Sequence, residues 1–396
     1  MTVGAEQQWL QDWLIRETGV AVNPERGRRR YPPSVRAEAM IVKELGTLGE
    51  RQRAIACAAS EAGHRQTALR LFDLALRNFV EAQHNLFADS PMKRHLMEQA
   101  QDCMDHIMPL APHRIDRLDV PFEEGPLPAV LHIRDEAGPL LFFIPGMDGT
   151  KETSSIGPLA TPFVSRGFRV FAMDGPGQGA ARVLRGIRLR PGSYARAVQA
   201  ALDHLQAAGR WNGRDAWVLG SSMGTRWGLE AAAADARIAG LALVHAAFGD
   251  QRPLFYHAPP RFRKVLAYMT GLGEEALRTF IAATELAPDL GVRCPTLVCI
   301  GEYDPLTSVA EARRLYARTL LGPKELYVFG DAFHGGEDLE ALGGASAVEA
   351  AADWLRDRAG GKPLRSGESF VPASRGLGMY GRQPLERWHT DLGTSG

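Results

Sequence analysis

The sequence predicts an α/β protein: a mostly parallel central sheet flanked by helices, preceded by a region that is helical throughout. Three observations lead there. Up to about residue 115 apolar residues recur at helical spacing with little β-branched enrichment. From about residue 116 short apolar runs alternate with helical patterns, the rhythm of a parallel sheet covered on both faces. Finally, a Gly-x-Ser-x-Gly motif, Gly220-Ser221-Ser222-Met223-Gly224, joins one apolar run to one helical run. Strand, tight turn and helix in that order lift a serine hydroxyl above a sheet.

Size, charge and cysteine usage set outer bounds. The chain has 396 residues, enough for a large core and a second, smaller domain. Its 46 Lys plus Arg balance 46 Asp plus Glu, which argues against a nucleic-acid binder. Arg26, Arg28, Arg29 and Arg30 form one basic cluster, read as a solvated loop or internal ion pairs ahead of a ligand or membrane site. The 4 cysteines, Cys57, Cys103, Cys294 and Cys299, contain no C-x-x-C pair and read as free thiols rather than disulfides or metal ligands. The N-terminus lacks the basic head and apolar stretch of a signal peptide, and no apolar run approaches bilayer length. The expectation is a soluble, cytoplasmic protein with a small-molecule substrate, no membrane or nucleic-acid partner, no metal and no cofactor.

Three segments follow in chain order. Residues 1–115 form a helical cap, with helices expected over Val35–Leu48, Gln52–Ala62, Arg65–Leu86 and Met92–Met108. This segment carries no catalytic motif and suits a cap over an active site, a dimer surface, or both. Residues 116–360 form the α/β core. Its strands are expected at Arg117–Pro121, Ala129–Ile133, Leu140–Ile144, Arg169–Met173, Ala216–Leu219, Gly240–Val244, Thr296–Ile300 and Leu326–Phe329. Helical patterns cover Gly157–Arg166, Ser193–Ala208, Thr225–Ala234, Ser308–Leu320 and Ala345–Arg358. A stretch at about 249–290 breaks the rhythm with a loop and two helical runs, Arg261–Thr270 and Glu274–Thr284, and is read as a lid insertion. Residues 361–396 are rich in Gly, Pro, Arg and Ser without period and are read as an extended C-terminal arm.

Catalytic candidates sit where strands end, the place ligands bind in such sheets. Ser222 is the candidate nucleophile and needs a base to take its proton. Asp304 follows the run Thr296–Ile300, and His334 follows Leu326–Phe329, so the chain order is Ser, acid, His. His334 would accept the Ser222 proton and return one to the leaving group, while Asp304 holds the imidazole's tautomer. Glu302, nearer the strand end, is the second candidate for the acid. An oxyanion needs two preorganised N–H donors. Met223 supplies one; Met147, in the loop Pro145-Gly146-Met147-Asp148 after Leu140–Ile144, supplies the other. Gly146, Asp148, His245, Asp250, Tyr256 and His257 are the candidate substrate contacts, and His245, Asp250 and His257 also have plain structural readings. The segment Asp174-Gly175-Pro176-Gly177-Gln178-Gly179 lacks the Gly-Lys-Ser/Thr ending of a phosphate loop and is read as a tight structural turn near the pocket.

Together these residues resemble the α/β-hydrolase superfamily. More narrowly, the chain is similar to the group containing the fermentation–respiration switch protein and 2,6-dihydroxypseudooxynicotine hydrolase. Gly146 through Glu152, Asp174 through Gly179, Gly220 through Gly224, Asp304 and His334 carry the resemblance, which spans about residues 35–358. It implies a catalytic triad, an N-terminal helical cap and a homodimer. The implied activities are ester hydrolysis, carbon–carbon cleavage of activated ketones, polyketide chain shortening, and related elimination or acyl-transfer steps in natural-product pathways. Pro145, where the group often has a small residue, and the C-terminal arm depart from the pattern. The leading expectation is therefore a serine hydrolase acting on a small, partly apolar ester, activated ketone or 1,3-dicarbonyl compound. A triad-dependent lyase, cyclase or acyltransferase is the alternative, and a non-catalytic regulator on a hydrolase scaffold is the second alternative.

Overall fold

A computed structural model describes residues 21–22, 30–31, 34–35, 37–153, 156–248, 255, 260–283, 286, 290–302, 304, 306–330, 332, 334 and 346–371. Ahead of the main body Ala21–Val22 pairs antiparallel with Arg30–Tyr31. Three long helices follow: α1 (Glu38–Glu61), α2 (Arg65–His84) and α3 (Pro91–Leu110). α1 is continuous where the sequence pattern suggested two helices. Gly49, in the apparent gap, is a site of close approach: a Cβ there would lie 2.8 Å from the Phe79 ring on α2. α3 starts sharply because the Ser90 hydroxyl accepts the Lys93 N–H at 3.1 Å and Pro91 opens the first turn.

The sheet has nine strands: β1 (Arg114–Val120), β2 (Leu127–Ile133), β3 (Leu140–Ile144), β4 (Arg169–Met173), β5 (Ala216–Ser221), β6 (Ile238–Val244), β7 (Thr296–Gly301), β8 (Lys324–Phe329) and β9 (Gly367–Val371). Their spatial order is β9-β8-β7-β6-β5-β3-β4-β2-β1. β2 runs antiparallel to both β1 and β4, and every other pairing is parallel. Eight strands match the apolar runs read from the sequence. β9 does not, since it lies in the segment read as a periodless arm. Parallel pairing with β8 orders it, and the Arg313 guanidinium grips the Glu368 carboxylate.

Strand alternation sends successive side chains to opposite faces. Phe142, Val218, Leu243 and Val298 pack on one face with helices α6 (Ser193–Ala207) and α7 (Met223–Ala234). On that side also lie α8 (Pro260–Thr270), α9 (Glu274–Ala283) and α10 (Val309–Arg318). Phe143, Leu219, Val244 and Cys299 face the other side, where the N-terminal helices and α11 (Ala347–Ala359) pack. The expected helix over 157–166 shrinks to α4 (Thr161–Val164), because Pro158 and Pro162 remove N–H donors and Gly157 (φ 63°) and Ala160 (φ 48°) take left-handed backbone. A short helix, α5 (Gly179–Val183), follows the turn after β4. Among the described residues no helix is long and apolar enough to cross a membrane.

Strand order reverses beside β3: the chain goes from β3 outward to β4, then returns to β5 on β3's other side. Loops leaving β3 and β5 therefore diverge and open a crevice at their carboxyl ends.

Candidate active site

The turn after β5 is strained in the way a protruding nucleophile requires. Ser222 has φ 52° and ψ −123°, a backbone conformation unusual for a residue with a Cβ. Its N–H donates to Val244 O at 3.0 Å, and α7 begins at the next residue. Both flanking glycines are needed for contact reasons. A Cβ on Gly220 would lie 2.6 Å from Gly224 O, and one on Gly224 would lie 2.2 Å from Ile144 O.

From this elbow the Ser222 hydroxyl oxygen lies 2.9 Å from His334 Nε2. The other ring nitrogen, Nδ1, lies 2.8 Å from Asp304 Oδ2. The second Asp304 oxygen accepts the backbone N–H groups of Leu306 (2.8 Å) and Thr307 (3.3 Å), so the buried carboxylate has one orientation. Glu302, the second candidate acid, sits at the end of β7 with its N–H on Phe329 O; it is Asp304 that meets the imidazole. A hydroxyl, an imidazole and a carboxylate in one hydrogen-bonded chain can move a proton from the serine while the carboxylate stabilises the cation formed.

The loop that carries Met147 approaches the elbow closely: a Cβ on Gly146 would lie 3.0 Å from Ser222 Cβ, tighter than an ordinary contact. Among the described residues no acceptor takes the N–H of Met147 or Met223.

Beneath that loop lies a charged cluster. Lys151 Nζ meets Glu152 Oε1 at 2.6 Å and Asp174 Oδ2 at 2.9 Å, and all three side chains are at most 1% exposed. Gln101 on α3 bonds both partners, accepting from Lys151 at 3.2 Å and donating to Glu152 at 2.9 Å. Burial opposes the charge on Lys151, but Asp174 and Glu152 outweigh it and hold its pKa above the ordinary value. Asp174 also accepts the N–H groups of Lys151 (2.8 Å) and Ala180 (2.8 Å). The sequence reading of Asp174 to Gly179 as a plain tight turn missed this network.

Other candidate contacts scatter. His245 follows β6 in left-handed backbone (φ 55°); its Nδ1 lies 3.3 Å from Ser221 Oγ and its ring centroid 6.2 Å from that of His334. Asp148 lies 3.9 Å from Arg261 on α8, which also reaches Glu81 on α2 and Asn85 at its C-cap. Asp250, Tyr256 and His257 lie outside the described residues. Met223 also lines a cavity of about 80 Å³ walled by Tyr194, Trp227, Phe255, Leu266 and Phe280. Cys103 and Cys299 are buried free thiols; burial pushes the Cys103 pKa up to about 12 and that of Cys299 upward as well, so neither is a thiolate nucleophile.

The structure superposes on that of 2,6-dihydroxy-pseudo-oxynicotine hydrolase with a TM-score of 0.71, over 82% of this chain and 90% of that one, at 22% identity. The chain therefore has the α/β-hydrolase fold. It also superposes on wild-type AbyA5 with a TM-score of 0.59, over 90% of this chain and 96% of that one, at 20% identity. Likenesses at these identities speak to fold. The family described as Hydrolase_4, serine aminopeptidase S33, matches residues 139–272. Among curated proteins, the α/β hydrolase ucsC of Acremonium sp. is 27% identical over 184 residues. That match spans 40% of this chain and 36% of the relative's length.

Proposed function

We propose that this protein of α/β-hydrolase fold is a serine hydrolase that cleaves a small, partly apolar ester or activated ketone through a covalent acyl-enzyme. One observation carries the reading: the continuous hydrogen-bonded path from Ser222 Oγ through His334 to Asp304, at 2.9 Å and 2.8 Å. Ser222 Oγ bonds to the substrate carbonyl carbon while its proton passes to His334 Nε2. The carbonyl π pair becomes an oxyanion that the Met147 and Met223 N–H groups receive. Collapse breaks the bond to the leaving group, which takes the proton from His334 and departs as an alcohol, or as an enol or ketone when a carbon–carbon bond breaks. Water then gives a proton to His334 and its oxygen to the acyl carbon, and Ser222 recovers its proton as the acid leaves.

Carbon–carbon cleavage requires a neighbouring carbonyl or aromatic ring to spread the charge of the departing carbanion. The structural neighbour 2,6-dihydroxy-pseudo-oxynicotine hydrolase is by its name a hydrolase, which agrees with the reaction type proposed. The apolar walls of the cavity beside Met223 suit the apolar part of such a compound. Residues 1–115 act as the cap in this reading: Gln101 of α3, Glu81 of α2 and Asn85 just past α2 contact the loop after β3 and the first insertion helix.

Turnover in ¹⁸O-labelled water tests the reaction type. Hydrolysis puts one labelled oxygen into the acid product. An unlabelled cyclised or eliminated product would overturn hydrolysis in favour of acyl transfer or elimination by the same residues.

A further inference from the structure

Fixing one face of a peptide group fixes the other. The peptide is planar and trans, so the carbonyl of one residue and the N–H of the next point in opposite directions. The Met147 N–H is therefore aimed by whatever holds the Gly146 carbonyl. Two donors hold it: the Gly149 N–H at 2.9 Å and the Gln178 side-chain Nε2 at 2.6 Å. Gln178 is itself 2% exposed, and its other amide atom, Oε1, accepts the Tyr194 hydroxyl at 2.7 Å. Only the amide nitrogen can serve the Gly146 oxygen, since a carbonyl oxygen only accepts. That requirement sets the amide orientation and leaves Oε1 for Tyr194.

Tyr194 has little freedom of its own. Its ring stacks on Trp227 of α7 at 4.1 Å with planes 3° apart. On its other side a Cβ at Gly175 would lie 2.4 Å from the ring, so the glycine makes room for it. Burial and the nearby Asp174 raise the phenol's pKa well above its usual value, so the hydroxyl stays a donor across the working pH range. α7 begins at Met223, which carries the second candidate oxyanion donor. Trp227, Tyr194, Gln178 and Gly146 thus tie the helix bearing one donor to the loop bearing the other.

We propose that Gln178 is a positioning residue for the oxyanion hole: anchored by Tyr194, it holds the Gly146–Met147 peptide so that the Met147 N–H faces the Ser222 hydroxyl. This rests on the reading of Ser222 as nucleophile, and it gives the Asp174–Gly179 motif a task beyond turning the chain. Asp174 grips the far end of the same loop through the Lys151 N–H, while Gln178 grips its near end.

The test uses an alkyl fluorophosphonate, whose P=O occupies the position of the oxyanion as Ser222 Oγ displaces fluoride. Inactivation is resolved into a saturating rate constant and an inhibitor constant for the full-length wild type, Gln178→Met and Tyr194→Phe. Methionine at 178 keeps much of the side-chain volume and has no N–H or O–H to donate to Gly146 O. The expected result is a saturating rate lowered by about 10- to 100-fold in Gln178→Met, below the full loss of a donor, with the inhibitor constant within about threefold. Tyr194→Phe, which keeps the amide but frees it, falls between. A merely structural role would lower the labelled fraction and the melting temperature and leave the rate per labelled site unchanged. Wild-type saturating rates in both variants would overturn this inference and leave the nucleophile in place. No Ser222-dependent labelling of the wild type would overturn the reading it rests on. Should Gln178→Met not fold, Tyr194→Phe alone decides, with a wild-type rate counting against the proposal.

Discussion

Lys151→Met is the substitution whose cost the structure defines best. Lys151 is the only cation in contact with two buried carboxylates among the described residues, Glu152 at 2.6 Å and Asp174 at 2.9 Å. Methionine fills much the same volume and removes the charge, leaving two carboxylates facing each other out of water. Breaking a buried pair on one side costs about 3–5 kcal/mol, a large share of the roughly 5–15 kcal/mol that keeps a domain folded. At about 1.2 °C per kcal/mol for a chain this large, the expected fall in Tm is about 4–6 °C. Urea unfolding followed by tryptophan fluorescence at pH 7 reads this out. A Lys151→Met/Asp174→Asn double variant should recover part of the loss, with a coupling of at least about 1 kcal/mol. A single variant within about 1 kcal/mol of wild type at pH 7 would refute the argument that this cluster holds the loop.

Three further outcomes follow from the same geometry. His132 is fully buried beside His113, with His132 Nδ1 3.0 Å from His113 Nε2, and burial holds its pKa down to about 3. The unfolded chain therefore binds a proton that the folded chain refuses below about pH 6.5, which removes about 2 kcal/mol of stability between pH 7 and pH 5; unfolding midpoints of wild type and His132→Leu should show the variant lacking that part of the slope. Gly224→Ala places a Cβ 2.2 Å from Ile144 O, and serine labelling by a fluorophosphonate should slow by at least about a hundredfold as the elbow shifts. Asp304→Asn keeps the shape but favours the wrong imidazole tautomer, and turnover of an activated ester should fall by roughly ten-thousandfold with KM little changed.

Much of the architecture was legible because parallel strands buried on both faces leave short apolar runs, and β3 and β4 stand at the boundaries those runs suggested. Ser222, Asp304 and His334 were legible for a related reason: each follows such a run, and the topology brings strand ends together. Contacts between distant side chains were not legible. Gln178 and Gly146 lie 32 residues apart, and nothing in Asp174 to Gly179 announces that its glutamine faces a carbonyl on another loop. Gly49 looked like a helix end because glycine lowers helix propensity, yet it is the place where Phe79 packs. The strand β9 escaped because its residues alternate weakly and gain order from β8 and Arg313 rather than from their own pattern.

Two adjacent serines face two histidines here, Ser222 with His334 at 2.9 Å and Ser221 with His245 at 3.3 Å. The first histidine continues to the buried carboxylate of Asp304 at 2.8 Å. Mass spectrometry of the peptide modified by an alkyl fluorophosphonate therefore tests the central claim most directly. The adduct should sit on Ser222, vanish in Ser222→Ala and persist in Ser221→Ala. An adduct on Ser221, or a folded wild type that takes no adduct, would contradict it.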